Sequence, residues 1–312
     1  MILPNNNDLF ALCDSHPLSW PMSGFKPDQP SRFTRRKFLI GTGVAAAGFT
    51  LYSGEIARHN LDTVQQTIAI KNLPDPFHGY RIVQLSDIHL DEFTEPFFLE
   101  RVVHKVNDLA PDLVLLTGDF VTRGSLTFIA STHAAHRGAE ILTALTSPLR
   151  YAILGNHDVS VSSPLVIHVL TSNGTPVLVN QHVPIERNGA RIWLCGSDDL
   201  CAGRPNINLT IPADPDGPVI LMAHEPDYAD TVVNHPRGKV VDLMLSGHSH
   251  GGQVRLPFVG PMILPPLGEK YVQGYFRLDH MQLYVNRGIG TVGLPFRLNC
   301  PPEITVLTLQ PA

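Results

Sequence analysis

Seven side chains in this sequence could share the work of holding cations: Asp87, His89, Asp119, Asn156, His224, His248 and His250. Each offers a single oxygen or imidazole nitrogen, a donor set that suits borderline divalent metals such as manganese, iron, zinc or cobalt. A thiolate-bound structural zinc would need cysteines instead. Seven donors are too many for one tetrahedral ion. Two ions about 3.5 to 4 Å apart, joined by a shared carboxylate and a water, form the arrangement that hydrolyses phosphate esters. Asp119 is the candidate for the shared carboxylate. Next to Asn156, His157 could protonate a leaving alkoxide, with Asp158 orienting its ring. Taken alone, Gly155-Asn156-His157-Asp158 is an ordinary turn sequence, and any single histidine can be structural. Five such blocks in one chain make that coincidence rare.

The donors fall where short apolar runs end. Residues 80–85 lead into Asp87 and His89, and 112–116 end at Thr117-Gly118-Asp119. Residues 150–154 lead into the Gly155 block, 219–223 into His224, and 241–245 into His248 and His250. Each run reads as a buried strand, and helical spacing over 97–109, 126–145 and 164–172 fills the intervals. Strand-loop-helix units in a row predict a mostly parallel sheet with right-handed crossovers. Open α/β sheets hold their ligands in the crevice at the carboxyl ends of the strands. After residue 176 the pattern changes to short strands at 177–178, 182–185 and 191–194, with Asn188-Gly189 as a hairpin turn. Further strands are expected at 283–286 and 304–309, and an edge strand at 61–70. The pattern predicts an α/β fold of two mixed sheets packed face to face with helices outside.

Composition excludes other classes. A formal net charge of -5 argues against a nucleic-acid partner, whose footprint would be basic. Residues 1–57 differ from the remainder: Arg35-Arg36 precede an apolar stretch, 38–52, with the length of a signal-peptide core and too short to span a bilayer. The segment is similar to a twin-arginine export signal, with the export machinery as its partner and a periplasmic or membrane-associated destination. It is expected either to be removed near residues 53–57 or to stay as a membrane tether, leaving 58–312 as the catalytic domain. Met1 and Met22 are both candidate starts, and Cys13 lies in the leader. In an oxidising compartment Cys195 and Cys201 could close a small loop, or the remaining cysteines could be buried thiols.

These residues also carry a family resemblance. Asp87-Ile88-His89, Gly118-Asp119 with Arg123, Gly155-Asn156-His157-Asp158, His224 and Gly247-His248-Ser249-His250 match, in order, the five blocks of the calcineurin-like metallophosphoesterases. The resemblance covers about residues 78–309. Gly247 to Gln253, His224-Glu225-Pro226-Asp227 and Pro301-Pro302-Glu303-Ile304 are similar to the exported, membrane-associated YkuE/YaeI-like branch. It implies a four-layer αββα sandwich. It also implies one metal held by Asp87, His89, Asp119 and His250, a second held by Asp119, Asn156, His224 and His248, and an Arg123 that could touch a substrate phosphate. The activity implied is hydrolysis of phosphodiester or pyrophosphate bonds by a metal-bridging hydroxide, with manganese, iron or zinc as the ions and a cell-envelope substrate. One alternative is a pyrophosphatase of UDP-acylglucosamine-type lipid precursors. Another is a metal-binding scaffold without catalysis, for which His157 would have little use. The apolar run 256–267 could meet a membrane surface or an acyl chain, or pack into its own domain.

Overall fold

The computed structural model describes residues 34–124 and 128–312. The readings on Cys13, Met22 and the start of the helix expected at 126 fall outside those residues. The chain forms two units, Met1–Ala45 and Ala46–Ala312. Helix α1 (Arg35–Leu51) crosses this boundary and buries no residue. No helix among the described residues is long and apolar enough to cross a membrane. The second unit begins twelve residues before the domain start expected from sequence, because Ser53, Gly54 and Ala57 are buried.

Thirteen strands and five further α-helices follow α1 among the described residues, with short 3-10 and π turns between them. In chain order they are β1 (Asp62–Ile70), β2 (Arg81–Leu85), α2 (Pro96–Asp108), β3 (Leu113–Thr117), α3 (Phe128–Leu142), β4 (Leu149–Ile153) and α4 (Asn156–Ser172). Next come β5 (Gln181–Arg187), β6 (Ala190–Gly196), α5 (Ile207–Thr210), β7 (Val219–Met222), α6 (Ala229–Asn234) and β8 (Val241–Ser246). The chain ends with β9 (Arg255–Leu256), β10 (Gly260–Pro261), β11 (Gly274–Leu278), β12 (Met281–Val285) and β13 (Glu303–Pro311).

Two mixed sheets result, with strand orders β1-β13-β2-β3-β4 and β11-β12-β8-β7-β6-β5. In the first, β2, β3 and β4 are parallel and β13 joins β2 antiparallel. In the second, β6, β7, β8 and β12 are parallel, with β5 and β11 antiparallel at the edges. Alternation along β2 and β3 explains the layering. Val83, Leu85, Val114 and Leu116 face α2, α3 and α4, whereas Ile82, Leu113 and Leu115 meet Ile220 and Leu243 of the other sheet. Leu221 and Met244 turn to the far side, against Val232 of α6. The layers are therefore helix, sheet, sheet, helix. Strands buried on both faces read as unbroken apolar runs, which is why they were visible in sequence.

Some boundaries differ from expectation. Helix α4 starts at Asn156 and not at 164, but it is two helices joined at a kink where Ser162 leaves helical geometry, just ahead of Pro164. Residues 177–178 contribute only a bridge from Val177 to Ala152. Strand β11 and the β9–β10 hairpin were absent from the sequence reading.

Candidate metal centre

All five donor-bearing loops leave the carboxyl ends of parallel strands. Sheet one supplies Asp87 and His89 after β2, Asp119 after β3 and Asn156 at the start of α4. Sheet two supplies His224 after β7, and His248 and His250 after β8. Six of the seven form two buried groups, Asp87–His89–His250 and Asp119–His224–His248, each compact enough to hold a metal ion. Each group draws from both sheets.

Asp119 joins the groups. Its Oδ2 lies 3.2 Å from His224 Nε2 and 3.5 Å from His89 Nε2, while Oδ1 accepts the His157 backbone N–H at 2.9 Å. The Asp87 Oδ1 is 3.4 Å from His250 Nε2, and His89 Nε2 is 3.1 Å from that same nitrogen. Asn156 lines the cleft over the centre, and its buried Oδ1 has no hydrogen-bond partner. An orphaned buried acceptor on a cleft also lined by His248 and His250 is the chemistry a cation would complete. The donors present therefore fit two divalent ions.

Partners behind the rings set which nitrogen faces inward. His224 Nδ1–H donates to the Thr117 carbonyl at 2.7 Å, leaving Nε2 for the centre. His248 Nε2–H donates to the Pro266 carbonyl at 2.9 Å, which leaves Nδ1. His89 Nδ1 is paired with the Thr122 hydroxyl at 2.9 Å. Such outer partners fix the tautomer and ring orientation of a metal ligand.

Electrostatics separate the histidines. Burial pushes His89 down to about 3, and burial with the nearby Arg297 guanidinium holds His250 well below the usual range. Both are neutral and able to ligate. Burial opposes a charge on His224, but the Asp119 carboxylate outweighs it and raises His224 well above its usual value, while His224 holds Asp119 well below.

Backbone geometry marks the same place. Asp87, His89, Asp119, His248 and His250 all have positive φ, between 46° and 68°, a region that non-glycine residues seldom occupy. The turns are tight because strand ends deliver donors from several directions to one point, and strain of this kind collects at functional sites. Gly155 has no room for a side chain, since a Cβ there would collide with Asp119 Oδ1.

The acid–base candidates lie differently from their sequence reading. His157 lines the cleft, and its Nδ1 accepts the Arg123 backbone N–H at 2.9 Å. A neutral His157 therefore carries its proton on Nε2. Asp158 does not orient that ring. Its fully buried carboxylate accepts the backbone N–H groups of Asp119, Phe120, Val121 and Gly155, at 2.8 to 3.2 Å. Starting α4 at Asn156 turns the third residue of the helix back over its own N-terminus, where orphan N–H groups gather. The Arg123 side chain is exposed and outside the cleft lining. Cys195, Cys201 and Cys300 are free thiols, so Cys195 and Cys201 form no loop-closing disulfide.

Sequence reasoning missed Thr117, Thr122, Pro266 and Arg297, which carry no periodic or motif signal. It also missed two buried acids next to His224: Asp199, and Glu225, whose carboxylate accepts the Leu200 and Cys201 N–H groups, each at 3.1 Å.

Fold and site together define a class. Residues 80–252 match the calcineurin-like phosphoesterase family, and the chain belongs to it as a metallophosphoesterase, a hydrolase of phosphoric esters. Among its relatives, the metallophosphoesterase YkuE of Bacillus subtilis is 35% identical over 89% of this chain and 98% of its own length. The phosphodiesterase YaeI of Escherichia coli is 32% identical, over 88% and 99%. The UDP-2,3-diacylglucosamine pyrophosphatase LpxG of Chlamydia trachomatis is 30% identical, over 76% and 86%.

Proposed function

We propose that this chain is a phosphodiesterase or pyrophosphatase acting on a cell-envelope substrate, with Asp87, His89, Asp119, Asn156, His224, His248 and His250 as the ligands of two metals. The observation that carries the reading is the single Asp119 oxygen placed between two donor groups, with His157 at the cleft beside them. Two bound divalent ions would supply an activated water and draw charge from phosphoryl oxygens. The chain's own residues do the rest. Asp119 and the imidazoles of His89, His224, His248 and His250 would supply the donors, and Asp158 freezes the loop that carries Asp119. His157 presents Nε2–H to the departing oxygen and so delivers a proton at that atom.

Arg35-Arg36 before the apolar helix supports export by the twin-arginine route. Exposed Phe258, Val259 and Ile263 around the β9–β10 hairpin support contact with a membrane surface. The named activity of YaeI favours a diester.

A second reading, a pyrophosphatase of lipid-linked nucleotide sugars, is favoured by the apolar cleft over the centre, about 440 Å³ in volume and walled by Met262, Ile263, Leu294 and Phe296. The named activity of LpxG points the same way. The deciding experiment gives the manganese-loaded full chain bis(p-nitrophenyl) phosphate, p-nitrophenyl phosphate and UDP-2,3-diacylglucosamine in parallel. Metal-dependent turnover of the diester supports the first reading, and turnover of the nucleotide sugar alone supports the second. Binding of two metals with no turnover of any of the three would leave a scaffold.

A further inference from the structure

Residues 49–57 belong to the region that resembles an export leader, yet they are built into the catalytic unit together with the three residues that follow. A single π-helical turn (Tyr52–Ile56) and a 3-10 turn (Ala57–His59) carry the chain from α1 towards β1. Ser53 is fully buried, and its carbonyl accepts the Arg297 N–H at 3.0 Å. Gly54 lies so close to Phe296 that an added Cβ would stand 3.2 Å from its ring.

The segment is also latched from the other side. The Arg58 guanidinium donates to the carbonyls of Gly54 and Phe93 and to the Glu95 carboxylate. His59 Nε2 pairs with the other Glu95 oxygen at 2.9 Å, its ring meets Phe98 edge-on, and Arg101 donates to its carbonyl at 3.1 Å. Arg58 and His59 would stay with the domain after a cut at 53–57, but the burial of Ser53 and the bonds to the Ser53 and Gly54 carbonyls would be lost, and a removable leader has no use for those.

Phe49 and Ser53 face the cleft over the metal centre, as do Leu294 and Phe296. One wall of the cleft therefore comes from this segment. Its apolar character cannot serve a phosphoryl group, whose charge would be poorly solvated there. It suits an alkyl chain, whose methylenes gain by leaving water.

We propose that residues 49–60 are a strap retained in the mature protein, and that Phe49, with Phe296, selects phosphoesters bearing an alkyl chain of several carbons. The proposal rests on the phosphoesterase reading and adds which residue sets substrate choice. Cleavage at 53–57 would remove Phe49 and with it that wall.

The test uses the manganese-loaded full chain and a series of p-nitrophenyl alkyl phosphodiesters, methyl to dodecyl, kept below their micelle concentrations. The readout is the ratio of kcat/KM for the octyl ester to that for the methyl ester. The native chain is expected to favour octyl by tenfold or more, Phe49→Ala to bring the ratio near one, and Phe49→Trp to move the optimum to shorter chains. Methyl ester turnover with a flat ratio in the native chain overturns the strap's role in selection, as does an unchanged ratio in both variants. Failure to cleave any ester with two metals bound instead overturns the phosphoesterase reading beneath it. If Phe49→Ala does not fold, Phe49→Trp carries the same measurement. An N-terminus at residues 53–58 in protein recovered from the producing cell also overturns the retention.

Discussion

The Oδ2 atom of Asp119 stands 3.2 Å from Nε2 of His224, while the same oxygen is 3.5 Å from His89 in the neighbouring donor group. One carboxylate oxygen thus belongs to both halves of the centre. Asp119→Asn, which keeps the size and loses the charge, is expected to lower bound manganese from two ions per chain to one or none. Diester turnover should fall at least about a thousandfold, on the scale of losing transition-state charge stabilisation. Elemental analysis of the dialysed protein and turnover assays check both, and retention of two ions with full activity would remove Asp119 from its bridging role.

His157 takes the Arg123 N–H on Nδ1 and keeps its proton on Nε2. Its replacement by alanine should therefore hurt most where the leaving oxygen needs that proton. For esters with alkyl leaving groups kcat is expected to drop roughly 100- to 10,000-fold, and less for p-nitrophenolate, which leaves unaided. Equal losses across leaving groups of different basicity would point to phosphate binding in place of proton delivery.

Thr122 supports His89 from behind at 2.9 Å. Thr122→Val preserves shape and removes the hydroxyl, so the ring loses its orienting partner. Metal affinity is expected to weaken about 10- to 100-fold, read by competition with a calibrated chelator. Unchanged affinity would show that packing alone aims the ring.

Asp199 and Glu225 give the fold a pH dependence. Burial and the Glu225 carboxylate push Asp199 up to about 8, so the native chain keeps a proton that the unfolded chain releases near pH 4. Between those values the native state binds more protons, and stability falls as pH rises, levelling off above about 8. Asp199→Asn, whose amide can still donate to Glu225, should flatten this slope. Melting temperatures of the metal-free protein at pH 5, 7 and 9 test it. A parallel fall in native chain and variant would place the dependence elsewhere.

Much of the centre was legible because a buried strand advertises itself as an apolar run and the residue after it must turn. Asp87, Asp119 and His224 were found that way. The role of Asp158 was not, since nearness in sequence suggested His157, whereas the orphan N–H groups at the start of α4 claimed its carboxylate. Thr122 and Pro266 act through tertiary proximity, which leaves no local pattern. The left-handed backbone of Asp87, His89, Asp119, His248 and His250 was equally hidden, because nothing in those side chains asks for it. Whether residues 49–57 are discarded or kept has no signature in sequence, because apolar character before a domain looks the same in either case. The apolar run after β8 divides: Phe258 is wholly exposed at the hairpin tip, whereas Met262 and Ile263 reach the cleft.

Each donor group takes residues from both sheets, Asp87 and His89 with His250, and Asp119 with His224 and His248. The ions that would perform the chemistry would also rivet the two halves of the sandwich together. Loss of metal would then do more than silence the enzyme. It would leave the shared seam to the side chains between the sheets, such as Ile82 and Ile220, and to direct bonds such as that from Gln84 Nε2–H to the Ser246 carbonyl at 2.9 Å. Activity and part of the cohesion would hang on the same two rivets, so metal starvation would loosen the protein as well as silence it.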